Sequence, residues 1–288
     1  MKTFKNGMVE RQPWLDGLAH IVLVVGLLVV ALPVWIAFVG STHTLDAVVQ
    51  NPMPIWPGGE GFANYRHVLV DGGTSGTRAP VARMLGVSLT IAILMAIGKI
   101  VLALVSAFAL VYFKFRFKQL AFWLIFITLM LPVEVRISPT YQVISNLGLL
   151  NSYAGLTLPL LASATATFLF RQFFMTVPDE LLEASRMDGA SPMRFFFDVL
   201  LPLSKTNIAA LFVIMFIYGW NQYLWPLLVS TEEKYYPIVI GIKQMIAAES
   251  QVEWQLVMAT AMLALIPPVL VVVLMQRWFV KGLVDAEK

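Results

Sequence analysis

Lys99 is the first residue whose chemistry has to be explained. It stands sixteen residues after Arg83 and fifteen before Lys114 in an otherwise apolar run. On a helix that places it more than ~20 Å from either flanking charge. An ammonium at such depth is costly and is by default a functional candidate. Two partners suit it: a substrate phosphate, which lysine binds as a point charge, or a carboxylate or carbonyls of another subunit. A second interruption, Gly219-Trp220-Asn221-Gln222-Tyr223, breaks the last apolar third of another run. Polar groups there must be satisfied by protein, water or ligand. Asn221, Gln222 and Tyr223 therefore either line a cavity for a hydroxyl-bearing substrate or hydrogen-bond across a helix interface. Arg136 lies near the end of a third run, where it either attracts an anion or pairs with Glu134, the plainer reading.

Other chemistry finds little support. The chain has no cysteine, which removes disulfides, iron-sulfur clusters and thiolate zinc sites, and His20, His43 and His67 have no metal-ligand spacing. The phosphate-loop pattern G-x-x-x-x-G-K-[ST] is absent, so no nucleotide site and no bound cofactor are expected. A net charge of +3 is too small to imply nucleic acid. No set of convergent catalytic groups accompanies Lys99, and the chain does not read as an enzyme.

The elements that must position these residues are membrane helices. Of 288 residues 59% are hydrophobic and 13% charged, with mean hydropathy +0.78, whereas a soluble domain is about a quarter charged. Six apolar segments stand out, at 18–39, 84–111, 120–133, 154–170, 208–229 and 257–275. The third is short for the ~20 residues a crossing needs. Charge settles its reading: with six spans, thirteen Lys and Arg fall on one side and six on the other. That asymmetry makes the richer side cytoplasmic, with both termini on it. The expected layout is a cytoplasmic tail (1–17), a first membrane helix (18–39), an extracytoplasmic loop (40–83) and a helical core (84–278) carrying a cytoplasmic loop at 176–205. A cytoplasmic tail (279–288) closes it. The loop at 40–83 is rich in Pro and Gly and is assigned no domain of its own. No internal repeat is visible, which argues against many secondary transporters, the reading from a different class.

The 176–205 loop has its own grammar. Asp179 and Glu180 suit a helix N-terminus, with Pro178 in the first turn. Gly189 should end that helix in the left-handed conformation, and Ser191 and Pro192 should cap and open a second. On the second helix Met193, Phe196, Phe197 and Leu200 share one face, Arg194 and Asp198 pair at i, i+4, and Leu201-Pro202 ends it. A compact aromatic knuckle of this kind either docks another protein or packs its phenylalanines against the membrane-helix ends.

The string Glu183-Ala184-Ser185-Arg186-Met187-Asp188-Gly189-Ala190, followed after eight residues by Val199-Leu200-Leu201-Pro202, resembles the EAA loop of ABC importer permeases. Ser185 stands for the third Ala and Val199 for Ile, both small changes of size. Further stretches, FITLMLPVEVRI, NSYAGLTLPLLASATATFLFRQFFM and FIYGWNQYLWPLL, resemble the carbohydrate-uptake, maltose-type branch of these permeases, and within it those importing sn-glycerol 3-phosphate. The resemblance implies an all-α polytopic protein, a type I importer transmembrane domain of six helices in the cell inner membrane. It implies a second homologous permease, two ATPase subunits carrying ATP and Mg, a periplasmic substrate-binding protein, and alternating access as the mechanism. It also implies that Glu183, Ala184, Asp188, Gly189 and Pro202 belong to the coupling loop facing the ATPase. The cargo expected is sn-glycerol 3-phosphate or a glycerophosphodiester, with another carbohydrate such as a disaccharide as the alternative.

Overall fold

The computed structural model describes residues 13–72, 77–247 and 251–285. The tail at 1–12 and the last three residues lie outside the described ones, and with them part of both predicted tails. The described chain is helical, with no strand: α1 (Pro13–Gly40), α2 (Leu45–Val49), α3 (Gly61–Arg66), α4 (Val81–Tyr112), α5 (Lys118–Met130), α6 (Val133–Asn146), α7 (Tyr153–Thr157) and α8 (Ala164–Thr176). Then come α9 (Asp179–Met187), α10 (Pro192–Phe195), α11 (Leu201–Leu203), α12 (Lys205–Trp220), α13 (Leu224–Val229), α14 (Ile238–Ile246) and α15 (Trp254–Asp285).

α4 is the axis. Its 32 residues span roughly 48 Å, and α8, α12 and α14 pack around it. Ala92, Ala96, Ala103 and Ala107 are buried along it. Small residues matter here because lipid supplies no hydrophobic drive between helices, so association depends on close backbone approach. Gly219 of α12 uses that freedom, since a Cβ there would stand 2.9 Å from the Ala92 Cα. α1, by contrast, is apolar all round and most of its side chains are exposed, as suits a helix facing lipid. Its main packing partner among the long helices is α15.

Among the described residues three helices are each long and apolar enough to cross a membrane: α1, α4 and α15. The others depart from the uniform runs read in the sequence. The fourth segment is a bent pair, α7 with its 3-10 extension and α8, meeting at 51°. The fifth stops at Trp220, and its last residues form the separate α13. The third, α5, has 13 residues, about 20 Å; after Leu131 and Pro132 the chain restarts as α6, whose extent no apolar run announced. α15 continues to Asp285, through most of the segment read as the closing tail.

In the described part of the loop at 40–83, residues 41–64 are tied by a set of side-chain to backbone bonds. Thr42 Oγ1 donates to Val39 O and accepts from Gly58 N–H, and Glu60 N–H donates to Thr42 O. Asn64 Nδ2 donates to both Ser41 O and His43 O, and Trp35 Nε1 donates to Ile55 O. Ser41, Thr42 and Val68 are buried beneath. Side-chain amides and hydroxyls thus satisfy backbone groups that a Pro- and Gly-rich chain leaves unpaired, and the segment folds as a cap over the end of α1.

Candidate functional site

The loop between α8 and α12 begins as expected. Pro178 precedes α9 as its cap, one position earlier than the first-turn site read from the sequence, and Asp179 and Glu180 fill the first turn. The helix ends at a complete Schellman turn: Gly189 N–H donates to Arg186 O, Ala190 N–H donates to Ser185 O, each at 3.0 Å, and Gly189 has φ +71°. Ser191 Oγ then accepts from Arg194 N–H at 3.3 Å, with Pro192 in the first turn, and Arg194 Nε meets Asp198 Oδ2 at 3.3 Å.

The second helix differs on two points. Phe196–Leu200 is a π turn, so α10, this turn and α11 form one rod running past Pro202 to Leu203. Pro202 tolerates that position because a π turn already releases the backbone donor it lacks. The chain then bends by 72° into α12, with Ser204 Oγ donating to Leu200 O at 2.6 Å. The extra residue of the π turn also rotates the buried face. Phe195, Phe196 and Leu200 are buried, whereas Met193 and Phe197, expected on that face, are more than half exposed. Of the two readings of the knuckle, the packing of phenylalanines against a membrane-helix end holds in part. Phe196 lies 5.0 Å from Phe108, and Phe195 5.3 Å from Tyr112, at the end of α4. Tyr112 Oη also donates to Phe174 O of α8 at 3.2 Å. This aromatic clamp fixes the rod to α4, while Glu183, Ala184, Asp188, Gly189, Pro202, Met193 and Phe197 remain exposed. A 390 Å³ groove between Tyr112, Leu182, Arg186 and Phe195 lies behind α9.

The membrane-level candidates divide. Lys99 is 5% exposed, and its Nζ lies over the Tyr218 ring, 4.7 Å from the centroid. Gln222 Nε2 donates to the Tyr218 backbone carbonyl at 3.2 Å. Gln222 and Tyr223 are half-buried and Asn221 exposed, in the break between α12 and α13. Tyr223 faces a different cation, Lys243 of α14, 5.4 Å from its ring centroid. α13, which follows the break, is tied to residues far away in the chain: Trp225 Nε1 donates to Gly155 O at 3.0 Å, and just past the helix the Asn151 carboxamide oxygen accepts from Thr231 N–H at 2.7 Å. Arg136, in the first turn of α6, lines a cavity of about 30 Å³ with Thr140, Pro159, Leu160 and Trp225. The expected Glu134–Arg136 pair is not formed. Two positions apart on a helix, the two side chains diverge.

The profile described as "Binding-protein-dependent transport system inner membrane component" matches residues 99–285, which include Lys99, the whole 176–205 loop and the α12–α13 break. The chain belongs to this family. It is 56% identical over 282 residues to the sn-glycerol-3-phosphate transport system permease protein UgpE of Agrobacterium fabrum, covering 98% of this chain and 100% of that one. With the protein of the same name from Escherichia coli O157:H7 it shares 58% identity over 283 residues, at the same coverage. A solved bacterial ABC transporter involved in import of the acidic polysaccharide alginate superposes with a TM-score of 0.76 at 21% identity, covering 95% of this chain and 100% of that one, which shows a common fold. The chain is thus an inner-membrane permease of an ABC importer with the type I fold, a transport component rather than an enzyme. Permeases of this kind work with a partner permease, an ATPase and a binding protein.

Sequence reasoning about this permease missed Tyr218, the floor under Lys99. No local spacing signals it, because Lys99 and Tyr218 stand on different helices. It also missed Lys243 and Asn151, which nothing local connects to the α12–α13 break.

Proposed function

We propose that this permease carries sn-glycerol 3-phosphate, or glycerophosphodiesters, into the cytoplasm as one half of a permease pair. Two ATPase subunits holding ATP and Mg drive it, and a periplasmic binding protein delivers the cargo. The cargo reading rests on full-length relatives at 56% and 58% identity that carry the sn-glycerol-3-phosphate permease name. The coupling reading rests on one geometric observation: α9 ends in a rigid Schellman turn with Glu183 and Asp188 exposed, on a rod clamped to α4 through Phe195 and Phe196. A lever needs both a free face and a stiff attachment, and this loop has both. Motion of a docked ATPase would pass through the rod and its 72° bend to α12 and α4.

The topology that goes with this function puts both termini and the 171–205 segment in the cytoplasm, in keeping with the thirteen-to-six split of Lys and Arg over six spans. Lys99, Arg136, Asn221, Gln222 and Tyr223 are proposed to line the cargo path. Reconstituting the full complex with its binding protein tests the whole reading. ATP-dependent uptake of radiolabelled sn-glycerol 3-phosphate is expected, with loss of stimulated ATP hydrolysis in Glu183→Ala. Uptake of a disaccharide in its place would overturn the cargo assignment, and full stimulation in the variant would overturn the coupling role.

A further inference from the structure

The groove behind α9 joins the end of a membrane helix to the 176–205 loop. Tyr112, Phe113 and Lys114 line it from the end of α4 and the chain just after it, and Leu182, Arg186 and Phe195 line it from α9 and α10. Its 390 Å³ falls within the ~300–1,000 Å³ of small-molecule sites. The floor is aromatic: the Phe113 ring stands edge-on to Phe108 at 5.3 Å, and Phe195 lies 5.3 Å from Tyr112. Both charged residues in the lining are cations, Lys114 and Arg186, and none of Asp179, Glu180, Glu183 and Asp188 of the same loop belongs to it. Neither cation forms an ion pair among the described residues.

The chain that follows α4 gives the depth of this groove. Residues 113–118 read Phe-Lys-Phe-Arg-Phe-Lys, and Phe113, Phe115 and Phe117 are all exposed. Exposed rings alternating with Lys and Arg at the end of a membrane helix suit the level of the lipid headgroups. The cations there have different tasks. Lys118 Nζ donates to Val111 O at 2.9 Å, capping the last turn of α4, and Arg116 lies over the Phe117 ring, 5.8 Å from its centroid. Lys114 and Arg186 are the two that line the groove, an aromatic-floored recess at headgroup depth with positive charge and no carboxylate in its wall.

We infer that this groove is a site for an anionic phospholipid, with Lys114 and Arg186 on its phosphate and the glycerol and upper acyl chain against Tyr112, Phe113 and Phe195. The chemistry of the wall suits that occupant. Arg186 offers a planar fork and Lys114 a point charge, the two ways in which side chains hold phosphate. The aromatic floor runs out to the exposed Phe113 ring, which an acyl chain covers and a soluble phosphate leaves wet. The inference rests on the topology proposed above only for the choice of leaflet, the cytoplasmic one, where basic segments meet anionic headgroups.

The test places the full complex in nanodiscs of phosphatidylcholine with a minor fraction of phosphatidylglycerol and measures, by native mass spectrometry, the phosphatidylglycerol retained on the complex. Discs offer the same lipids on both faces, so the outcome does not depend on which side the loop faces. Arg186→Gln and Lys114→Gln should each weaken retention about fivefold, the contribution of one Lys or Arg beside an anionic lipid surface. Arg186→Lys should keep most of it, and Arg116→Gln, outside the groove, should stay near the wild type. Four results overturn the inference. Wild-type retention in both Gln variants removes the site. A loss in Arg116→Gln as large as in Arg186→Gln reduces it to attraction by the whole basic segment. Displacement of the lipid by added inorganic phosphate makes the occupant a soluble anion. Loss of ATPase subunits from the Arg186→Gln complex in discs of phosphatidylcholine alone makes the groove a contact of the ATPase.

Discussion

Replacing Gly189 isolates the backbone contribution to coupling, because nothing else is altered. The residue has φ +71°, and a Cβ added there would have no heavy atom within 4 Å. Any cost is therefore torsional. Holding an ordinary L-residue in the left-handed region costs about 1–2 kcal/mol, and Asn less because its side chain bonds locally. At tenfold per ~1.4 kcal/mol, Gly189→Ala should lower the population of loops in the native turn by roughly 5- to 30-fold relative to competing conformations. Val adds β-branching and should be worse. Binding-protein-stimulated ATP hydrolysis in the reconstituted complex should fall in the order Gly, Asn, Ala, Val. The amount of permease inserted should stay constant, since the turn is exposed and touches nothing. If Ala and Val sustain wild-type stimulation, or if Asn is as damaging as Val, the turn is not what holds the docking face.

The aromatic clamp gives a paired prediction: Phe196→Ala opens a cavity beside Phe108 and should cost about 3–5 kcal/mol, read as a lower melting temperature of the purified complex, while the exposed Phe197→Ala should leave melting unchanged and reduce copurification of the ATPase. Topology can be read without background labelling because the chain has no cysteine; Met193→Cys, exposed on the rod, should react with an impermeant maleimide in inverted vesicles and not in intact spheroplasts, and labelling from outside would end the six-span arrangement. Gly219→Val should force α12 from α4, where even a Cβ stands 2.9 Å from the Ala92 backbone. Membrane abundance should drop several-fold, and a normal level would contradict the close approach.

Some of this architecture was legible in one dimension. The ends of α9, the cap at Ser191, the Arg194–Asp198 pair and the turn at Gly189 were all readable, because a cap, a proline or a left-handed glycine acts within about four residues of itself. Apolar length located α1, α4 and α15 for a similar reason: a bilayer imposes its thickness on any helix that crosses it.

What the sequence could not settle depends on groups far apart in the chain. The break after Leu160 falls inside an apolar run that reads as continuous, and the polar interruption at 219–223 did not by itself say that the helix stops at Trp220. The short helices beside them are tied by distant partners, the Trp225 indole on Gly155 O of α7 and the Asn151 side chain on Thr231 N–H just after α13. The π turn at Phe196 shifted the buried face of the rod, and a helical wheel drawn at 3.6 residues per turn has no means to register it. The cap over α1 arose from side-chain to backbone bonds that composition does not encode. Lys99 was conspicuous from its flanks alone, as a charge in an apolar run. That its Nζ lies over the Tyr218 ring of α12 was decided by how α4 and α12 pack, because proximity between separate helices is a property of packing and not of local spacing.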